Sequence, residues 1–235
     1  MVMSVDNVID VLSRADSLYA RRAESDAVKE SVALLSESNG EDEPYEINWR
    51  LARAFFFLGQ EAASKSLKRE MHRAGIEAGR SAVEMESARV EGRFWLGVNL
   101  ALFAESVGGL RAAAAILGAK RELARALEIS ADYHDAGPLR VLGKIYHKAP
   151  WFLGGSQRQS KEYFDRALAI APSNSVTLLY AAELAMDAGE YNRAVSLFEK
   201  IIEFAPEGEW EFEKRRDSQI ARLRLEQLRN EQAGR

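Results

Sequence analysis

Apolar residues recur along this chain three and four positions apart, the spacing that gathers them on one side of a 3.6-residue helix. They come in paired segments divided by short polar or glycine-bearing breaks. The clearest pair spans 175–208. Leu178, Ala181, Ala182 and Ala185 mark a first helix, Gly189-Glu190-Tyr191 a turn, Ala194, Phe198 and Ile201 a second helix, and Pro206 its end. Small side chains at Ala182 and Ala194 let two antiparallel helices approach closely, with Phe198 filling the space between them. Pro206 cannot continue the hydrogen-bond ladder.

The same register recurs upstream. In 136–174, Leu142-Gly143 and Tyr146 are followed by Gly155, Phe164, Ala167 and Pro172, with an insertion at Pro150-Trp151-Phe152-Leu153-Gly154. A pair at 90–131 has Phe94, Gly97 and Leu100, a break at Gly108-Gly109, then Leu123, Ala126 and Leu127. A stretched pair at 45–87 has Trp49, Ala52 and Phe56, then Gly75, Gly79, Ala82 and Val83, with extra residues around Gln60 to Arg69. The weakest pair, 6–37, has Val8, Ile9, Leu12, Ala15 and Tyr19, then Val28, Val32 and Leu35, and the polar stretch Ser38 to Pro44 links it onward. A final helix at 209–232 places Ile220, Leu223 and Leu228 on one face, as a helix covering the end of a stack requires. The expected fold class is all-α: a right-handed superhelical stack of about five helix pairs with a C-terminal capping helix, forming a single domain over 1–235.

Composition narrows the function. Hydrophobic residues make up 47%, enough for a core. A formal charge of −4 lacks the cationic footprint of a nucleic-acid binder, so no nucleic acid is expected as partner. With no cysteine there is neither a disulfide nor a thiolate site. Asp6, Asp10, Arg14 and Asp16 interrupt what would be the apolar core of a signal peptide, and no transmembrane segment is expected. The chain as it stands is expected to be cytoplasmic, or periplasmic if an export signal has been removed.

The 34-residue unit 175–208 resembles a tetratricopeptide repeat. Val5 to Tyr19, Trp49-Arg50-Leu51-Ala52-Arg53-Ala54, Ala82-Val83-Glu84 and Gly143-Lys144-Ile145-Tyr146 resemble the regulator of microtubule dynamics family of such proteins. Leu142 to Gly155, with Pro150 and the Gly154-Gly155 turn, resembles the T component of tripartite ATP-independent periplasmic transporters. The first resemblance implies a helical scaffold at microtubules or membrane contacts, in one branch carrying phospholipid. The second implies a lipoprotein partner of a solute-binding protein, with a hydrophobic channel through the stack. The lipoprotein cysteine and export signal of that family are not in this sequence.

In a tetratricopeptide stack the first helix of each pair lines the inner curve. That register gives Arg50, Ala54 and Phe57 in the second pair, and Phe94, Val98, Ala101 and Leu102 in the third. It gives Arg140, Lys144, His147 and Lys148 in the fourth, and Leu179, Glu183 and Met186 in the fifth. Arg140, Lys144 and Lys148 lie four apart on one helix face, reading either as an anion-recognition step for a peptide carboxylate or lipid headgroup or as a solvated face. Trp151 and Phe152 sit in an inserted turn where a repeat needs no aromatic pair; they either plug the stack or form a lip over an apolar pocket. Phe55-Phe56-Phe57 point three ways, with Phe56 in a packing slot and Phe57 toward the groove. Gly75, Gly79 and Ala82 form a stripe suited to close packing of soluble helices.

Catalysis finds little support. His72, His134 and His147 fall on different pairs, and no metal-binding histidine pair, phosphate loop or serine elbow occurs, so neither cofactor nor metal is expected and the protein is read as no enzyme. The expected function is a binding scaffold for a protein or peptide partner in the concave groove. The alternative is a carrier of a lipid or other hydrophobic small molecule in an apolar cavity lined by Phe57, Phe94, Trp95 and Phe103.

Overall fold

The computed structural model describes residues 5–38, 44–204 and 208–233. Among them every long element is a helix and no strand occurs. The linker read at Ser38 to Pro44 falls largely, and the helix stop at Pro206 wholly, outside the described residues, as do the side chains of Asp6 and Val8. The chain divides into two compact units, Met1–Ala131 and Asp132–Arg235.

The first unit holds α1 (Val5–Ala20), α2 (Ala27–Glu37), α3 (Pro44–Glu61), α4 (Lys65–Met85), α5 (Val90–Ser106) and α6 (Gly109–Ile129). Each helix packs on the next, and α3 also touches α1 and α5. The extra residues of the stretched pair lengthen the helices, to 18 residues in α3 and 21 in α4, and leave only a short connection. Ser64 ends that connection by accepting from the Leu67 backbone N–H, satisfying a first-turn donor of α4. In α1 it is Val11, Ala15 and Tyr19 that are buried, whereas Ile9 is exposed.

α4 and α5 approach too closely for side chains at their crossing. A Cβ on Gly79 would lie 2.9 Å from the Cβ of Leu96, and one on Gly75 would overlap the Asn99 amide. The small-residue stripe of α4 is therefore a packing surface. Helix α5, hemmed in by α3, α4 and α6, buries Phe94, Trp95, Leu96, Val98 and Leu100 around its whole circumference. Asn99, fully buried among them, donates from Nδ2 to the carbonyls of Ala52 and Trp95, both at 2.9 Å. Its Oδ1 faces Nδ1 of buried His72 at 3.2 Å, which places the imidazole proton on Nδ1 because the amide oxygen can only accept. One side chain thus joins α3, α4 and α5.

The second unit holds α7 (Tyr133–Lys148), a short 3₁₀ turn (Trp151–Leu153), α8 (Gln157–Ile170), α9 (Ser175–Asp187), α10 (Tyr191–Glu203), a second 3₁₀ turn (Gly208–Trp210) and α11 (Glu211–Ala233). Its core gathers Phe164, Leu178, Ala182, Ala194, Phe198 and Ile201. Gly143 makes room for the ring of Phe164, which a Cβ would meet at 2.6 Å. Helix α11 covers the end of this core with Ala221, Leu225 and Leu228. Leu223, assigned to that face in the sequence, is instead 61% exposed, because small Ala221 sets the contact line and leaves Leu223 two residues off it.

Two consequences of the Asn99 junction are measurable. Asn99→Ala removes the second donor to the Ala52 and Trp95 carbonyls, which keep their intrahelical bonds, and leaves the His72 Nδ1–H unpaired, so the unfolding free energy in urea is expected to fall by about 1–3 kcal/mol. A loss under about 1 kcal/mol would show that the junction contributes little. Burial holds the pKa of His72 below 6.5, aided by the charge of Lys68 and opposed by the Asn99 bond. The unfolded chain therefore takes up a proton that the folded chain refuses. The contribution of neutral His72 is present above pH about 6.5 and declines as pH falls below it. The urea midpoint is expected to drop between pH 7 and pH 5, and to drop less in His72→Gln.

Candidate partner-binding surface

In the first unit most of the proposed groove residues turn inward. Phe57 is buried with its ring edge-on to Tyr19. Phe94 and Trp95 are buried and meet edge-to-face at 4.9 Å, with Phe56 against Trp95 at 5.3 Å. Val98 is buried and Phe103 half-buried. Aromatic rings proposed as a cavity lining here pack against one another and against their helices.

Arg50 belongs to a charge network along α1 and α3. Its guanidinium donates to both Asp16 carboxylate oxygens at 2.9–3.1 Å and to Glu46, and lies 4.2 Å over the Trp49 ring. Arg53 reaches the same Asp16 and stacks on Tyr19 and Trp49. Burial alone would raise the pKa of Asp16, but the bonds and charges of Arg50 and Arg53 outweigh it and hold the carboxyl below its ordinary value. The network is internally neutralised.

In the second unit, α7 begins with an unusual turn. His134, Asp135 and Ala136 all have positive φ, 52°, 51° and 60°, and each non-glycine residue in that region costs about 1–2 kcal/mol. Pro138 follows, in the first turn of the right-handed segment, where its missing N–H does no harm. Arg140 offsets the strain. It is only 4% exposed, donates to the Asp135 carbonyl at 2.9 Å and the His134 carbonyl at 3.3 Å, and lies over the Trp210 ring, on which His134 also stacks. Burial lowers its pKa to about 10. Arg140 is thus a brace beneath the surface.

The other cations of α7 meet acids on α9. Lys144 pairs with Glu183 and lies over the Tyr180 ring. His147 and Lys148 both contact Asp187, at 2.8 and 3.0 Å. Burial lowers the pKa of His147, with Lys148 and Lys144 adding to the effect and Asp187 opposing it. The Lys148 hydrogen bond is the largest influence holding Asp187 below its ordinary value. Arg140, Lys144 and Lys148 therefore form no free cationic face: one is buried and two have a carboxylate opposite. Leu179 is buried and Met186 half-buried on the same helix, α9.

What remains open to solvent is the insertion after α7. Trp151 is 84% exposed and Phe152 66%, with their rings perpendicular at 5.9 Å. The turn beneath them is well defined. Leu153 and Gly155 N–H donate to the Pro150 carbonyl at 2.9 and 3.0 Å, Gly154 N–H to Trp151 at 2.9 Å, and Ser156 N–H to Tyr146 at 2.8 Å. Gly154 has φ 75°, and a Cβ on Gly155 would overlap the Ala149 carbonyl oxygen, so both glycines are required where they stand. The turn displays the two rings largely in solvent. The sequence marked this pair but not the left-handed turn or Trp210 beside it; the polar run before Gly137-Pro138 was the only signal of an irregular entry to α7.

Among the described residues no group of three or more histidines and carboxylates could hold a metal ion. No helix is long and apolar enough to cross a membrane, again among those residues.

The fold has relatives of known structure. TTC0263, a thermophilic TPR protein of Thermus thermophilus, superposes with a TM-score of 0.69 at 19% identity, over 91% of this chain and 98% of that one. The structure of MamA superposes with a TM-score of 0.52 at 16% identity, over 81% of this chain and 90% of its own. At these identities the likeness establishes a tetratricopeptide-like helical fold. No curated protein matches the sequence significantly. The model of one family, TRAP transporter T-component, matches residues 41–233, which include the left-handed turn, the paired charges of α7 and α9, and the aromatic turn. The chain belongs to the TRAP transporter T-component family.

Proposed function

We propose that this protein is a non-enzymatic docking component of a tripartite transport system, and that its second unit binds a protein partner through Trp151 and Phe152. The observation that carries this reading is the aromatic pair held out to solvent by a hydrogen-bonded, doubly glycine-dependent turn. Leaving two large rings in water costs apolar burial that the fold could otherwise use. Rigid aromatic side chains suit a binding surface because they bring large contact area with little conformational entropy to lose. The family supports the partner class: a component of a transporter acts with other components, and the solute-binding protein is the partner we assign. Its compartment on this reading is the periplasm.

The paired charges of α7 and α9 fit a polar rim beside that contact. Lys144–Glu183 and Lys148–Asp187 leave the surface near neutral, so the partner is selected by shape and aromatic contact more than by charge. Rim charges of this kind affect the association rate more than the final affinity.

The solute-binding component of the same transport system, titrated calorimetrically into the purified protein, is the direct test. Trp151→Ala is expected to weaken binding at least about tenfold, and the double variant with Phe152→Ala to abolish it, with the urea midpoint unchanged since neither ring is buried. Equal affinity for wild type and double variant would overturn the assignment.

A further inference from the structure

The end of α7 holds a group that can regulate docking, an inference that rests on the reading of Trp151 and Phe152 as the docking pair. His147 precedes the aromatic turn, and its side chain is only 3% exposed. Its Nε2 lies 2.8 Å from Oδ2 of Asp187 on α9. A carboxylate can only accept, so the neutral ring carries its proton on Nε2 and donates there. Nδ1 is buried and, among the described residues, has no hydrogen-bond partner. A bare lone pair is tolerable in that position. A second proton, which can go only to Nδ1, is not, because a buried N–H without an acceptor gives up water and gains nothing.

The surrounding charges oppose the second proton too. Asp187 attracts it, but the same Oδ2 already holds the Lys148 ammonium at 3.0 Å. An imidazolium would share one oxygen with that cation, and Lys144 on the same helix adds to the repulsion. Glu183 of α9 gives no relief, being paired with Lys144. On α8, Arg158 pairs with Glu162 and Lys161 with Asp165 along their own helix, and Arg166 lies over Tyr163. Burial is the largest influence on the His147 ring and keeps its pKa below 6.5. A ring released to water titrates near 6.5, so the seated ring prevails above that pH and gives way as pH falls below it.

The last turn of α7, which His147 seats, carries the aromatic turn. The Tyr146 carbonyl accepts from Ser156 N–H, and Ala149 N–H donates to the Ile145 carbonyl, both at 2.8 Å. The Ala149 carbonyl packs so closely on Gly155 that a Cβ there would overlap it. Two contacts that shape the turn therefore come from residues within two positions of His147. When the ring swings out, its neighbours move and both contacts change.

We propose that His147 is a proton-operated latch for partner docking. Neutral, it seats the end of α7 against Asp187 and holds Trp151 and Phe152 in their binding arrangement. Protonated, it leaves its slot and the turn loses its support.

The whole protein tests the latch in two ways, one of which needs no partner. His147, identified in NMR spectra by the signal missing from His147→Gln, is expected to titrate below 6.5. Amide exchange at Ser156 is read as a protection factor, so that its intrinsic pH dependence divides out. Protection is expected to fall at least about threefold from about pH 7.5 to about pH 5. His147→Gln, whose amide can donate to Asp187 but takes up no proton, is expected to keep its protection. Lys148→Met, which removes one cation from Oδ2, is expected to lessen the loss. A His147 pKa at or above 6.5 overturns the latch, as does Ser156 protection that is constant with pH or falls equally in His147→Gln. In calorimetric titration with the solute-binding component, wild-type affinity is expected to fall at least about threefold over the same range, and less in His147→Gln. An equal fall in both also overturns the proposal. A partner that binds at neither pH would overturn the docking reading instead, and the exchange result would still decide the latch.

Discussion

The close approach of α4 to α5 is the constraint on which the first unit depends. Helix axes are drawn together only as far as their side chains allow, and here α4 presents hydrogen atoms where Leu96 and Asn99 need the space. Once α5 is that close, it is enclosed by α3, α4 and α6 along most of its length, with a cleft left by α4 and α6 over Leu96 and Leu100, which is why Phe94, Trp95, Leu96 and Leu100 can all be apolar and largely buried. The polar residue within its apolar run, Asn99, is tolerable because every hydrogen-bonding direction it uses meets a partner, two carbonyls and an imidazole. A buried amide so placed also fixes register: sliding α5 by one residue against α3 or α4 would strand it.

The second unit reaches the same end by different means. Gly143 admits the Phe164 ring, and Ser160 donates to the Gly143 carbonyl at 2.8 Å, so the α7–α8 crossing is both small and polar-locked. Asp217, fully buried, accepts from Ser175 at 2.8 Å and from Arg216, and this ties α11 to the start of α9. Burial raises the pKa of that carboxyl against the pull of Arg216 and Ser175. Polar groups inside this unit thus act at element ends and crossings, where backbone groups would otherwise be unpaired.

Helix existence was legible in the sequence because periodicity is a local property: Leu178, Ala182 and Ala185 on α9 and Ala194, Phe198 and Ile201 on α10 declare their faces within a few residues. The face of α11 was misjudged at Leu223 because a small residue, Ala221, can set a packing line as firmly as a large one. The aromatic turn was legible as an anomaly, since nothing in a repeat needs Trp151 and Phe152 at that place. Charge pairing was not legible. Lys144 and Glu183 lie 39 residues apart, so the lysines of α7 read as a cationic face until α9 is set beside them. The left-handed turn at His134, Asp135 and Ala136 carries no glycine to announce it; its support comes from Arg140, and from Trp210 far along the chain. Nor could periodicity reveal the cleft of the first unit, which is defined by what α4 and α6 leave uncovered.

Neutralisation decides where binding chemistry can reside. Along α1, α3, α7 and α9 the ionic side chains are spent on one another: Arg50 and Arg53 on Asp16, Lys144 on Glu183, Lys148 on Asp187. Such pairs are worth little in stability when exposed, but they lower the field that the surface presents to a partner. A surface treated this way presents little net field to a partner. Unspent interaction capacity then lies in the pair of rings displayed on the glycine-dependent turn, Trp151 and Phe152. A contact made through them is apolar and therefore insensitive to ionic screening.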